Sequence, residues 1–183
     1  MIYDLPTSVE VCGVSYPIRS DYRAALDICA ALADPELDGK DKAFVALTIF
    51  YPNIDDIPED GLQEALEQCL WFINCGAEKE QTRKSPKLMD WEQDFQYIVS
   101  PINRVIGREI RSMEYLHWWT FVSAYYELGD CLFAQIIRIR DLKARGKTLD
   151  KADREWYRKN RQMVDLRTTY TEQEDAVLKQ WLK

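Results

Sequence analysis

Met113-Glu-Tyr-Leu-His-Trp-Trp-Thr-Phe-Val-Ser-Ala-Tyr-Tyr-Glu-Leu128 decides how the chain is read. It holds two of the six tryptophans, the only histidine, and neither proline nor glycine. On a helical wheel at about 100° per residue, Trp118, Trp119, Phe121, Val122, Tyr125, Tyr126 and Leu128 share one half of the circle. Thr120, Ser123 and Glu127 fall on the other half. A face so broad and aromatic predicts a central helix packed on several neighbours at once. Its aromatic residues are therefore expected in a core rather than around a ligand.

Working outward, the helical pattern continues on the C-terminal side. Gly129-Asp130 separates the central helix from Cys131–Ala144, where Leu132, Phe133, Ile136, Ile137 and Ile139 are expected to face inward, and Gly146 ends that helix. Asp150 caps a helix with Trp156 and Tyr157, and Thr171 caps a last one carrying Val177, Leu178, Trp181 and Leu182. On the N-terminal side, Asp90 caps a helix with Trp91, Phe95, Ile98 and Val99. Pro101 is expected to kink or break it, and Gly107 marks the turn before the central helix.

The first part of the chain reads differently. Val9, Val11, Val14, Tyr16 and Ile18 alternate around Cys12-Gly13, which predicts a β-hairpin whose second strand Pro17 confines to an edge. A lone hairpin is marginal, so it must lie on helices. Ser20 or Asp21 caps a helix to Ala33. A second helix runs from about Lys40 to Phe50, stopped by Pro52. A third starts near Pro58-Glu59-Asp60, carries Leu62, Leu66, Cys69, Leu70 and Ile73, and closes at Gly76. The expected organisation is a mainly α helical bundle with a small N-terminal β-hairpin. Residues 1–76 hold the hairpin and acidic helices, 77–89 a polar linker and 90–183 the C-terminal helices, together one compact domain.

Composition excludes several classes. The longest apolar run is far short of the ~20 residues that span a bilayer. No basic stretch followed by an apolar one opens the chain, so a cytoplasmic location is expected. Five cysteines, with no Cys-x-x-Cys, read as free core thiols. Net charge is −7, unevenly spread. Residues 1–80 carry 5 Lys/Arg against 16 Asp/Glu, and residues 81–183 carry 19 against 15. Two halves of opposite sign can attract each other within one fold, or present an acidic and a basic face to partners or to sister copies. Arg138–Arg161 holds ten basic residues, but Asp141, Asp150, Asp153 and Glu155 interleave with them at pairing distances. A solvated face is expected there, and nucleic-acid binding is not.

No catalytic set emerges. His117 has no nucleophile motif beside it, and a structural hydrogen bond at the edge of the aromatic face is its expected role. Asp34-x-Glu36-x-Asp38-Gly39 opens like a calcium loop, but the twelfth position, which needs a bidentate Glu, is Val45. It reads as a helix-to-helix turn. Asp90 and Asp94 share a helix face without a third ligand, so capping and solvation are expected rather than metal binding. No cofactor is expected.

From Asp90 onward the order of residues carries a resemblance. Asp90-x-x-x-Asp94-x-x-Tyr97-Ile98 precedes the Gly107 turn. Tyr115-Leu116-His117-Trp118-Trp119-x-Phe121 follows, then Arg140, Gly146-Lys147-Thr148-Leu149-Asp150-Lys151, Trp156-Tyr157 and Asn160. This resembles the phage gene-product-fifteen family of siphophages and bacterial prophages. Leu116, His117, Trp118, Trp119 and Phe121 are its most specific block and the expected structural core of the motif. Gly107-Arg108-Glu109-Ile110 departs from the family's Gly-Ile-Asp-Leu. The resemblance implies a non-enzymatic, helical tail-region protein in the cytoplasm of the bacterial host. Its implied role is a tail-assembly chaperone or accessory protein, with the tape-measure protein or other tail proteins as partners; the alternative is a structural component of the tail. Val177, Leu178, Trp181 and Leu182 are candidate partner-binding residues, and self-association is a further possibility the charge split raises.

Overall fold

The computed structural model of the chain describes residues 4–77 and 86–167. The expected helix beyond Thr171, with Val177, Leu178, Trp181 and Leu182, lies outside the described residues, as does most of the polar stretch 77–89. The described chain is mainly α with one small antiparallel hairpin. It divides into two units. The first contains residues 1–78 together with Tyr115–Phe121. The second contains Lys79–Glu114 and Val122–Arg167.

In the first unit, β1 (Ser8–Val11) pairs with β2 (Val14–Pro17), Val9 opposite Tyr16 and Val11 opposite Val14. The turn residues Cys12 and Gly13 have φ of 51° and 75°, the double left-handed geometry a two-residue hairpin needs. Gly13 takes this freely. Cys12 does not, and its amide is held by Glu64 Oε2 at 2.9 Å. Val9 and Val11 are buried while Val14 is exposed, so the hairpin has one packed face.

That face lies on α3 (Leu62–Ile73), as a marginal hairpin requires. A Cβ on Gly61, just before α3, would meet Cys12 Sγ and Val11 Cγ1 at 3.2 Å. Asp21 caps α1 (Tyr22–Ala33) through Arg23 N, and Asp38 caps α2 (Gly39–Phe50) through Lys40 N and Asp41 N. The Asp34–Gly39 stretch is therefore a helix-to-helix turn, with Asp34 accepting from Glu36 N. Tyr22, Ala25, Ile28, Phe50, Tyr51 and Phe72 form the core of this unit. Cys69 is buried, but Cys12 is exposed at the hairpin turn, so not every thiol is a core thiol.

In the second unit, α4 (Trp91–Ile106) is capped by Asp90 and closed by Gly107 in the left-handed region. The helix does not break at Pro101, which sits buried inside it. α6 (Leu132–Ala144) packs on α4, and α7 (Lys151–Lys159) and α8 (Arg161–Val164) complete the unit. Phe133, Ile136 and Ile139 face inward, but Leu132 is 45% exposed, because it opens the helix next to its cap Cys131.

The central helix is shorter than the wheel implies. α5 spans Trp118–Tyr126 only. Met113–His117 is not helical, and Asp21 and His117 form an antiparallel bridge. Trp118, Phe121, Val122 and Leu128 are buried, Trp119 and Tyr125 are half-buried, and Tyr126 is 78% exposed. The aromatic face is therefore narrower than half the circle.

Candidate functional site

Within the first unit, the Leu116–Phe121 block works as a clasp. Leu116 N donates to Asp21 Oδ2 at 2.9 Å, and Leu116 O accepts from Tyr22 N at 2.9 Å. Trp118 N donates to Ser20 O at 2.8 Å. These bonds tie the block to the start of α1. Asp21 thus does two tasks, capping α1 and binding the block.

His117 precedes α5 and caps it through its ring. Its Nδ1 accepts from Trp119 N at 3.0 Å, and Phe121 N donates to His117 O. Because Nδ1 accepts, the ring proton belongs on Nε2, which donates to Pro6 O at 3.0 Å. Burial pushes the His117 pKa down from 6.5, with the Pro6 carbonyl opposing. The ring is neutral, and both nitrogens are engaged.

The two tryptophans use their indoles alike. Trp118 Nε1 donates to Ile73 O at 3.0 Å, and Trp119 Nε1 to Phe72 O at 2.9 Å. Those carbonyls belong to the last turn of α3, where intrahelical donors run out. Trp119 also lies against Gly76, whose φ is +78° and whose Cβ, if added, would come within 3.1 Å of the indole. Phe121 stacks on Tyr22 with centroids 4.9 Å apart. Leu116, His117, Trp118, Trp119 and Phe121 are thus brought together as one structural element. Its chemistry is adhesion.

Beside the clasp, a groove of about 640 Å³ opens between the end of β2, α1 and the end of α2. Ile18, Ala24, Ile49 and Tyr115 give it apolar walls, and Arg19, Arg23, Asp21 and Asp27 are its charged lining. Arg19 Nη1 donates to Thr48 O, Ile49 O and Tyr51 O at 2.8, 2.7 and 3.2 Å, which caps the end of α2 and fixes the guanidinium in place. Tyr115, half exposed, is tethered through its hydroxyl to Ser20 Oγ at 2.8 Å. This groove is absent from any sequence pattern, since its lining comes from three separated segments.

Within the second unit, Arg140 is the organising side chain. Its Nη1 and Nη2 bind Asp94 Oδ2 and Oδ1 at 2.6 and 2.9 Å. Nε donates to Val164 O at 2.5 Å, Nη1 to Leu88 O at 2.9 Å and Nη2 to Met163 O at 3.0 Å. Asp94 is fully buried rather than solvated, and Oδ2 also accepts from Asp90 N at 3.0 Å. Gln93 completes the arrangement, donating to Asp165 O at 2.9 Å and accepting from Arg167 N at 2.8 Å. Arg140 and Asp94 were legible as motif residues, but not as partners.

The remaining motif residues also organise structure. Asp150 caps α7, and Asn160 Nδ2 donates to Trp156 O. The Tyr157 hydroxyl donates to Asp165, which Lys143 and Arg161 also bind. Burial pushes the Asp165 carboxyl up, but those bonds more than offset it and hold it below the usual range. Arg138 pairs with Asp153, and Lys159 with Glu155.

Among the described residues, no group of three His, Cys, Asp or Glu side chains is placed to hold a metal. No described helix is long and apolar enough to cross a membrane. Burial pushes the thiols of Cys29 and Cys75 up to about 11 and that of Cys69 to about 12. At neutral pH these thiols are protonated and poor nucleophiles.

No curated protein and no solved structure matches the chain. One family model does, described as Bacteriophage Gp15 protein, over residues 1–166. The match takes in the clasp, the groove and the Arg140 node alike, reaching well beyond the Asp90–Asn160 stretch that carries the motif. The chain belongs to the Bacteriophage Gp15 protein family.

Proposed function

We propose that this chain is a phage tail-assembly chaperone or accessory protein, acting without catalysis in the cytoplasm of the bacterial host. It would hold the tape-measure protein during tail morphogenesis. Membership of a phage protein family is the observation that carries this reading. The groove beside the clasp supports it. Its apolar walls, Ile18, Ala24, Ile49 and Tyr115, suit the apolar stripe of an incoming amphipathic helix. Arg19, Arg23 and Asp27 give a mixed-sign lining that favours one register over another. The strongly acidic first part keeps the complex soluble.

Release matters as much as capture. The partner must yield to polymerising tail subunits, so the affinity is set near micromolar, about −8 kcal/mol. Val177, Leu178, Trp181 and Leu182 remain candidate anchors on sequence grounds. Mass spectrometry of infected-cell lysate and of purified virions tests the role. A chaperone is found in the lysate and is missing from mature particles. A fixed copy number per tail would make the chain a structural component instead.

A further inference from the structure

We infer that Lys151, Arg154 and Arg158 on α7 form a self-association surface, which takes the acidic turn Asp55–Asp60 of a second copy of this chain. The spacing i, i+3, i+7 gathers the three cations within about 60° of the helix circumference. All three are exposed. The acidic residues close to them in sequence are engaged elsewhere. Asp150 caps α7 through Asp153 N, Asp153 pairs with Arg138, and Glu155 pairs with Lys159. Among the described residues the ridge makes no ion pair, and Arg154 spends only its Nε, on the Asp150 carbonyl at 3.3 Å. Like charges three and four residues apart on one helix face repel weakly, and a patch of opposite sign laid over them relieves that repulsion.

The complement is built into the same chain. Asp55, Asp56, Glu59 and Asp60 are exposed between α2 and α3 and make no ion pair among the described residues. The arginines of that unit are committed, Arg19 to the carbonyls ending α2 and Arg23 to Asp21. The turn is also firm. Its two short 3-10 turns, Ile54–Asp56 and Glu59–Gly61, are linked by the buried Ile57, and Tyr16 donates from its hydroxyl to Asp56 O at 3.2 Å.

Four carboxylates on a firm turn and three cations on a helix are patches of similar size, present in equal numbers in any solution of the protein. At physiological salt, charges interact over about 8 Å, so contacting patches outweigh the overall −7 of each copy. A nucleic acid fits the ridge less well, since three cations neutralise only about three phosphates and this binding strengthens with the number neutralised. An interface joining two different patches is heterologous, so each copy offers one of each.

The test uses the full chain, with its mass followed by light scattering over a concentration series. The salts are about 0.05 M and about 0.5 M NaCl, on either side of strong screening. The mass is expected to rise above 21.5 kDa at low salt and return towards it at high salt. Reversing the ridge (Lys151→Glu, Arg154→Glu, Arg158→Glu) or the turn (Asp55→Lys, Asp56→Lys, Glu59→Lys, Asp60→Lys) should weaken association at least about tenfold, the loss of about 1.4 kcal/mol. Mixing the two reversed proteins should restore it, because each then carries the charge the other needs. Three results would overturn the inference. They are a monomer under every condition, association untouched by either reversal, and a ridge that binds a labelled oligonucleotide more tightly than it binds the chain itself.

Discussion

Arg140 and Asp94, separated by 46 residues in sequence, meet as a buried two-bond pair inside the second unit. All five guanidinium donors have acceptors, three of them backbone carbonyls from Leu88, Met163 and Val164. A lysine offers three donors from one point and cannot make this fork.

Arg140→Ala should therefore cost about 3–5 kcal/mol, since it leaves a buried carboxylate and several carbonyls without donors. Much of a typical domain's ~5–15 kcal/mol is at stake. Arg140→Lys should recover only part of the loss. An apolar pair at positions 94 and 140 should not restore stability either, because the carbonyls still lack donors. Urea unfolding of the three variants measures all of this.

His117 gives stability a pH dependence of known sign. Its pKa is lowered in the fold by burial, so the unfolded chain binds the proton more readily. Its contribution is fully present above 6.5, the ordinary value, and is lost as pH falls below that towards the lowered folded value. A protonated ring also cannot accept from Trp119 N. The slope cannot exceed about 1.4 kcal/mol per pH unit for one group. His117 is the only histidine, so a melting series between about pH 7 and 5, compared with the same series on His117→Gln, isolates its share. His117→Gln should flatten the series and cost about 1 kcal/mol at pH 7, because an amide replaces one of two bonds.

The two tryptophans should separate by burial. Trp118→Ala should cost about 3–5 kcal/mol, as expected of a fully buried indole. Trp119→Ala should cost less, since its ring is half-buried. Trp118→Phe and Trp119→Phe keep most of the packing and remove only the donors to Ile73 O and Phe72 O, so about 1 kcal/mol each is expected. Chemical denaturation followed by far-UV circular dichroism checks the order, independently of the fluorescence these substitutions alter.

What could be read from sequence follows a physical divide. Caps and breakers act locally, so Asp21, Asp90, Asp150 and Gly107 mark their helix ends correctly, while α3 ends before Gly76, at Ile73 with Asn74 as its cap. The hairpin was legible for the same reason, since alternation and a Cys12-Gly13 turn are neighbouring facts. Met113–His117 failed as helix because its amides and carbonyls are claimed from a distance, Leu116 N by Asp21 and Leu116 O by Tyr22. A helical wheel is blind to that competition. Pro101 failed differently: the rule names a lost hydrogen bond and a clash, but not the packing that keeps α4 continuous around a buried ring. Asp94 read as solvated because its partner Arg140 lies on another helix. The motif residues were visible while their contacts were not, and the groove, assembled from separate segments, left no local signature.

Capture of the tape-measure protein is the claim on which the functional reading rests, and co-expression with the cognate tape-measure protein measures it most directly. The soluble fraction of that protein should rise when this chain is present, and a pull-down at low salt should recover a complex of about micromolar affinity, near −8 kcal/mol. Ala24→Glu, which places a charge on the apolar wall of the groove, should weaken recovery while the protein still folds and melts cooperatively. A tape-measure protein that stays equally insoluble with and without this chain, with no complex at low salt, would contradict the reading.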